Sequence, residues 1–145
     1  MPNINDAEIT GIYVSQQGSP GVQDDAPNAP VGSTTPGTAF DVTLEMVAGS
    51  ALLSEAYTLN VSCADLTATT GASGLVPVFP PSPSPSTVEA PPWKPAGSYF
   101  TCSDTQTVNI PAGSGGGQVY QYTASLITAN GEVASIKQSD PFVLY

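Results

Sequence analysis

Acidic side chains in two places of this chain have types and spacing that suit known chemistry. Asp41 and Glu45 share a face of one segment, and paired carboxylates can act as acid and base in glycoside hydrolysis. Asp24 and Asp25 are adjacent in a Gly- and Pro-containing loop, where carboxylates and carbonyls are the ligands that Ca²⁺ prefers. The face of Asp41 and Glu45 is predicted to be solvated, and no D-x-D-x-D spacing surrounds the loop acids. We therefore expect solvated surface acids at both places.

Other catalytic arrangements are missing from the sequence. The chain has no histidine, which removes Ser-His-Asp and Cys-His nucleophiles. The patterns G-x-S-x-G, G-x-x-x-x-G-K-[ST] and H-E-x-x-H are also absent. The glycine-rich run 113–117 lacks the lysine and the following helix of a phosphate-binding loop. We expect no catalytic residue, no metal site and no cofactor, and hence a protein that is not an enzyme.

The two cysteines leave two alternatives open. A disulfide between Cys63 and Cys102 would close a loop around a Pro-rich segment and stabilise the domain by about 3–4 kcal/mol. Two buried free thiols are the alternative, which a reducing compartment favours. Two cysteines without a histidine do not make a zinc site.

Length and charge restrict the remaining functions. The 145 residues fit one domain, 1–145, and contain twelve carboxylates against two lysines, for a net charge of −10. Such a surface repels phosphate backbones and anionic lipids, so we expect no nucleic-acid binding and no membrane insertion. No apolar stretch is long enough to span a bilayer. The first residues, 1–6, show no secretion signal, because they lack a basic region followed by an apolar one.

Alternation of apolar and polar residues predicts strands. The clearest case is 40–47, and segments 57–63 and 119–128 repeat the same period of two. Asn130-Gly131 predicts a type I′ turn from 119–128 into a returning strand, 132–139. Shorter segments complete the pattern at 9–14, 105–110 and 142–145. We predict an all-β fold, an antiparallel immunoglobulin-like β-sandwich of about seven or eight strands.

Two long segments interrupt this pattern. Residues 16–38 are rich in Gly, Ser, Pro and Asn and are predicted to form a loop. Residues 76–97 are rich in proline, which cannot donate to a strand ladder, so an extended excursion on or beyond the sandwich is expected. This excursion carries the single tryptophan, Trp93. Trp93 either anchors a partner or folds back onto the sandwich.

The Pro-rich excursion and the C-terminal hairpin are therefore the predicted contact regions for a partner. Aromatic and proline-rich surfaces commonly anchor interfaces, and the edge of a terminal hairpin can pair with a neighbouring chain. The candidate partner-binding residues are Val78, Phe79, Trp93, Phe142 and Tyr145.

The C-terminal segment resembles the last two strands of immunoglobulin-like and fibronectin type III-like domains. The residues that carry the resemblance are Tyr120-x-Tyr122-x-Ala124, Asn130-Gly131-Glu132-Val133-Ala134-Ser135 and Ser139-Asp140-Pro141-Phe142-Val143-Leu144. The resemblance covers 118–145, with weaker support from 39–63, and it concerns architecture. The chain departs from antibody-type domains because its cysteines do not fit the usual positions between the sheets. The resemblance therefore implies a fold and no binding residues.

Together these features favour a non-enzymatic structural or interaction module, an accessory or decoration-type subunit of a large assembly such as a phage or virus-like particle. Its partners would be other protein subunits, including copies of itself, and its place the virion or particle surface. Immunoglobulin-like domains are common on phage capsids and tails. The alternative is a carbohydrate- or ligand-binding module of a secreted or cell-surface protein. Candidate aromatic contacts for that alternative are Tyr13, Tyr57, Trp93 and Tyr99.

Overall fold

The computed structural model describes residues 6–19, 22–27, 39–52, 56–67, 77–79, 86–87, 93–110, 118–128 and 133–144. Within these residues the chain forms strands and a short 3₁₀ turn, Ser50–Leu52. The strands are β1 (Ala7–Ser15), β2 (Ala39–Gly49), β3 (Ala56–Asp65), β4 (Ser86–Thr87), β5 (Lys94–Ala96), β6 (Tyr99–Asn109), β7 (Val119–Thr128), β8 (Val133–Gln138) and β9 (Phe142–Val143).

These strands form two sheets. The first has the order β1-β2-β6-β5, and the second has the order β4-β3-β7-β8, with β9 also paired to β7. Every pairing is antiparallel. The predicted all-β antiparallel sandwich is therefore confirmed. No helix in the described part of the chain is long and apolar enough to cross a membrane.

Strand β2 lies at the centre of the first sheet and shows why the sequence forms this architecture. Its alternating residues Phe40, Val42, Leu44 and Met46 are all buried and point toward the second sheet. Burying each such side chain contributes about 1.5–3 kcal/mol. A shift of one residue in register would move all four of them to the outer face of the sheet, so this alternation fixes the register.

The C-terminal hairpin continues past Asp140-Pro141, which interrupts the chain between the predicted strands 132–139 and 142–145. Strand β7 pairs first with β8 and then with β9, where Tyr120 lies opposite Phe142. Ser139 holds the junction: its main-chain N–H donates to the carbonyl of Tyr122, and its hydroxyl accepts from the Tyr122 N–H at 3.0 Å. The interruption therefore costs the ladder little. The predicted turn at Asn130-Gly131 lies outside the described residues.

The two predicted loop segments are tied to the sandwich where they are described. In the first, Asp24 donates its N–H to the Val14 carbonyl, and the Asp25 carbonyl accepts from the N–H of Val143. In the second, β4 and β5 rejoin the sandwich as edge strands of the two sheets. Pro95 lies in β5, the kind of edge position that tolerates a residue without an N–H.

Candidate functional site

Three of the five residues predicted to bind a partner lie in the core, so this assignment is corrected for them. Phe79 is 4% exposed, Trp93 5% and Phe142 1%. Their rings are therefore covered in the folded domain and unavailable to a surface partner. Val78 lies between the buried residues Pro77 and Phe79, but its own side chain is 65% exposed and remains accessible. Tyr145 lies outside the described residues.

Trp93 folds back onto the sandwich, the second of the two alternatives for this residue. Its indole N–H donates to the Tyr57 hydroxyl at 2.8 Å, and the two rings meet edge to face with centroids 5.7 Å apart. This geometry is favourable because a ring edge meets a ring face, and the polar N–H is satisfied despite burial. The contact fastens the end of the Pro-rich excursion to β3.

Phe79 fastens the other described part of the excursion. Its ring packs edge to face on Tyr122, with centroids 6.4 Å apart, while the Tyr122 hydroxyl donates to the Pro77 carbonyl at 2.6 Å. Burial raises the pKa of Tyr122 far above its usual value, because the phenolate would lack water. Tyr122 therefore remains a neutral donor, and the excursion lies on the sandwich at this point.

The two cysteines occupy different sheets and are free thiols in the structure. Cys63 lies half-buried on β3, and Cys102 lies buried on β6. Burial raises the pKa of each thiol to about 12, with a smaller contribution from Asp65 beside Cys63 and from Asp104 beside Cys102. Neutral, desolvated thiols are poor nucleophiles and poor metal ligands, so they serve as small core residues.

Asp41 and Glu45 share the outer face of the first sheet but have different environments, which corrects the expectation of two solvated acids. Asp41 is 4% exposed. Its carboxylate accepts from the Gly18 N–H at 2.9 Å and from the Thr107 hydroxyl at 3.0 Å. Glu45 is exposed. Asp41 therefore holds the turn after β1 against the sheet.

Substitution tests this role of Asp41. Asp41→Ala is expected to lower the free energy of unfolding by roughly 1.5–3 kcal/mol, because the Gly18 N–H and the Thr107 hydroxyl lose a buried, charged acceptor. Glu45→Ala, on the same strand and face, is expected to change it by less than about 0.5 kcal/mol. Urea denaturation monitored by fluorescence compares the two variants. Equal losses would show that Asp41 does not anchor the turn.

A shallow depression opens on the other end of this outer face. It has a volume of about 290 Å³, and its polar lining consists of Thr10, Glu45, Lys94, Thr101 and Ser103. A carboxylate, an ammonium group and three hydroxyls thus meet in one place, so the depression can both donate and accept hydrogen bonds. Among the described residues, this is the best candidate for a small-ligand site.

Tyr13 borders this arrangement through Glu45. Its hydroxyl donates to the Glu45 carboxylate at 3.3 Å. Burial and then the Glu45 charge raise the pKa of Tyr13, so it stays a neutral donor. Of the candidate aromatic contacts, Tyr57 and Trp93 pack on each other, and Tyr13 is bonded to Glu45, a residue that lines the depression.

The loop acids are engaged within the protein. The side-chain amide of Gln23 donates to Asp25 and to Asp140, at 2.9 Å each. The Asp24 carboxylate accepts from the Ala26 N–H at 3.0 Å. In the described ranges, no group of three His, Cys, Asp or Glu side chains is placed to hold a metal ion.

Comparisons with known proteins add little. No protein-family model matches the chain, and no curated protein matches it. Among solved structures, a DUF4466 family protein from Parabacteroides merdae ATCC 43184 is similar at 18% identity with a TM-score of 0.44. The match covers 98% of this chain and 46% of that one, so this chain spans less than half of the protein that it matches. A similarity of this size supports no argument about function.

Proposed function

We propose that this chain is a non-enzymatic interaction module with an immunoglobulin-like sandwich, serving as an accessory subunit of a large protein assembly such as a phage or virus-like particle. The observation that carries the proposal is the order of the strands in the two sheets. The strand order supports the proposal by analogy with immunoglobulin-like modules, and the surfaces that the fold presents supply the contacts with partners.

The strand order follows that of immunoglobulin-like domains. Those sandwiches place strands A, B, E and D in one sheet and C, F and G in the other. Lettered in chain order, β1, β2, β6 and β5 correspond to A, B, E and D, and β3, β7 and β8 correspond to C, F and G. Strand β4 takes the place of the additional strand C′ of variable-type domains.

The interior and the charge both favour function at the surface. Aromatic rings from the two sheets pack against one another around Phe142, so this part of the core is filled. The net charge of −10 disfavours acidic partners and leaves neutral or basic protein surfaces as the suitable ones.

Sedimentation of the native protein from its source on a density gradient tests the assembly role. We expect the chain to travel with a megadalton particle and to leave it only under dissociating conditions. A chain that stays at the top of the gradient as a small species contradicts the assembly role.

A second candidate function, binding of a small neutral polyhydroxylated ligand such as a sugar unit, is favoured by the depression. The carboxylate of Glu45 can accept from sugar hydroxyls, and the ammonium of Lys94 can donate to them. The two charges balance, so the depression suits a neutral ligand despite the acidic surface.

An array of neutral oligosaccharides, followed by calorimetry on any that bind, tests this candidate. Glu45→Gln and Lys94→Met are each expected to weaken binding by roughly tenfold or more, because each removes a charged hydrogen-bond partner. Glu8→Gln and Lys137→Met, both exposed and outside the depression, are matched controls expected to bind normally. Equal losses in both pairs would show that the depression is not the site.

A further inference from the structure

One edge of strand β6, named the open edge below, has no partner strand over most of its length among the described residues. On one side it pairs with β2 along its whole length, from Tyr99 to Asn109. On the other side, in the described part of the chain, it pairs only with β5, at Tyr99, Phe100 and Thr101. Residues 102–109 therefore continue beyond the edge strand that should cover them.

The direction of the main-chain groups along this edge follows from the β5–β6 hairpin. Ala96 and Tyr99 close a two-residue turn, Gly97-Ser98, so their N–H and C=O groups face each other. Because these groups alternate sides along a strand, Ser103, Thr105 and Thr107 direct theirs toward the open side. Each of these residues can therefore both donate to and accept from an additional strand.

Among the described residues this edge has no lysine, proline, bulge or covering strand beyond β5, and its one protective device is Asp104, a charged residue on the inward face that it shares with Leu44. Edges are usually protected by lysine, proline, a bulge or a covering segment. Strand β5 contains Lys94 and Pro95, and β8 contains Lys137 and is approached by β1, where the Ile9 N–H donates to the Ser135 hydroxyl at 3.1 Å. The β6 ladder with β2 has no register shift.

The side chains of the open edge also favour pairing. Its outward positions are uncharged, exposed residues of which Thr105 and Thr107 are β-branched. The edge strand contains neither lysine nor arginine, and its single carboxylate, Asp104, is bonded to the Gln106 amide at 2.9 Å. The charge repulsion between two copies of this acidic chain is therefore small along this strand.

We propose that the open edge of β6 pairs antiparallel with the same edge of a second copy of this chain, so that the first sheets join into one continuous sheet. The inference rests on the proposed interaction role and names one of its partners. With a two-fold axis at Thr105, Ser103 of one copy lies opposite Thr107 of the other. Residues whose main-chain N–H and C=O groups point to the open side then pair with one another.

This register is self-complementary. Thr105 faces Thr105 of the second copy, and Thr–Thr and Thr–Ser pairs are favourable across antiparallel strands. Asp104 lies opposite Gln106 of the second copy, whose amide has a further N–H beyond the one already bonded to its own Asp104. No two like charges lie directly opposite each other within residues 102–108.

Sedimentation equilibrium of the purified chain, with variants at position 105, tests the dimer. We expect a dimer that strengthens with added salt, because salt screens the repulsion between two acidic copies. Thr105→Pro blocks the edge without removing a hydrogen bond to β2, and Thr105→Lys places like charges opposite each other. Each is expected to weaken dimerisation on the order of tenfold to a hundredfold. Thr105→Val also loses the hydroxyl contact with Thr43 but keeps the edge open, so it serves as the matched control.

Mixing variants tests the two-fold axis itself. Thr105→Lys and Thr105→Glu are each expected to be monomeric alone and to form a heterodimer when mixed, because opposite charges then face each other. Hydrogen exchange should show amides at Ser103, Thr105 and Thr107 that gain protection as concentration rises.

A monomer at every concentration, or a dimer that Thr105→Pro and Thr105→Lys leave unchanged, overturns the proposal. Amides that are protected in a monomer would show that the edge is covered within the chain. Sedimentation of the native protein with a particle tests the assembly role separately. Either proposal, the dimer or the assembly role, can therefore be contradicted while the other stands.

Discussion

Replacing Phe142 with alanine is expected to lower the free energy of unfolding by about 3–5 kcal/mol. The Phe142 side chain is 1% exposed. Its ring stacks on Tyr122 with centroids 5.4 Å apart and packs on Tyr120 at 5.8 Å and on Phe40 at 5.5 Å. Truncation leaves a cavity between rings of both sheets, and a loss of this size is a large share of the roughly 5–15 kcal/mol that stabilises a typical domain.

Urea denaturation measures this loss, with the fluorescence of Trp93, the single tryptophan, as the signal. Ile136→Ala removes an apolar side chain from β8 that is 64% exposed, and its cost is expected to stay below about 0.5 kcal/mol. Phe142→Leu should recover much of the stability, because it refills most of the cavity. Similar losses for Phe142→Ala and Ile136→Ala would place Phe142 at the surface, as its sequence-based assignment to a partner contact requires.

The strands of the core could be predicted because a local alternation of apolar and polar residues indicates which of their side chains are buried. Phe40, Val42, Leu44 and Met46 alternate with polar residues, and the period of two assigns one face to the interior without any knowledge of the partner strand. The same reasoning predicted β7 and the return of the chain through β8 and β9. The sandwich therefore followed from short windows of sequence.

The orientation of aromatic rings in the Pro-rich excursion could not be predicted in this way. Trp93 is buried because Tyr57 offers its hydroxyl and ring, and Phe79 is buried because Tyr122 offers its ring. Those partners are distant in sequence. The proline-rich sequence around each ring does not indicate whether the ring points inward or outward. Burial at these positions depends on long-range contacts that a local window does not contain.

The outer face of the first sheet shows the same limit for polar residues. Alternation correctly places Asp41 and Glu45 on one face, but the turn after β1 covers only Asp41. The depression beside Glu45 takes its lining from β1, β2, β5 and β6, so no spacing in the sequence marks it. Lys94, one of two lysines in the chain, was the one signal that could have drawn attention there.

Alkylation of Cys63 and Cys102 in the native protein is expected to be about a thousandfold slower at pH 8 than that of an ordinary thiol. Burial raises the pKa of both thiols from 9.0 to about 12, and the thiolate is the species that reacts. As long as the pH is below the thiol pKa, each increase of one pH unit should raise the alkylation rate about tenfold, because the thiolate fraction rises tenfold. Because the folded pKa exceeds the unfolded one, the stability from these neutral thiols is complete below pH 9 and declines as the pH rises toward 12.

Iodoacetamide kinetics, read by mass spectrometry of the two cysteine peptides before and after unfolding in urea, check this expectation. Ser62→Cys in a Cys63→Ala, Cys102→Ala background gives an exposed control thiol on the same strand, which should react at the ordinary rate. Fast native alkylation of Cys63 or Cys102 would contradict their burial. If neither cysteine reacts even after unfolding without reductant, the disulfide is the correct alternative, and the Pro-rich excursion is then held by a covalent link between the two sheets as well as by Trp93 and Phe79.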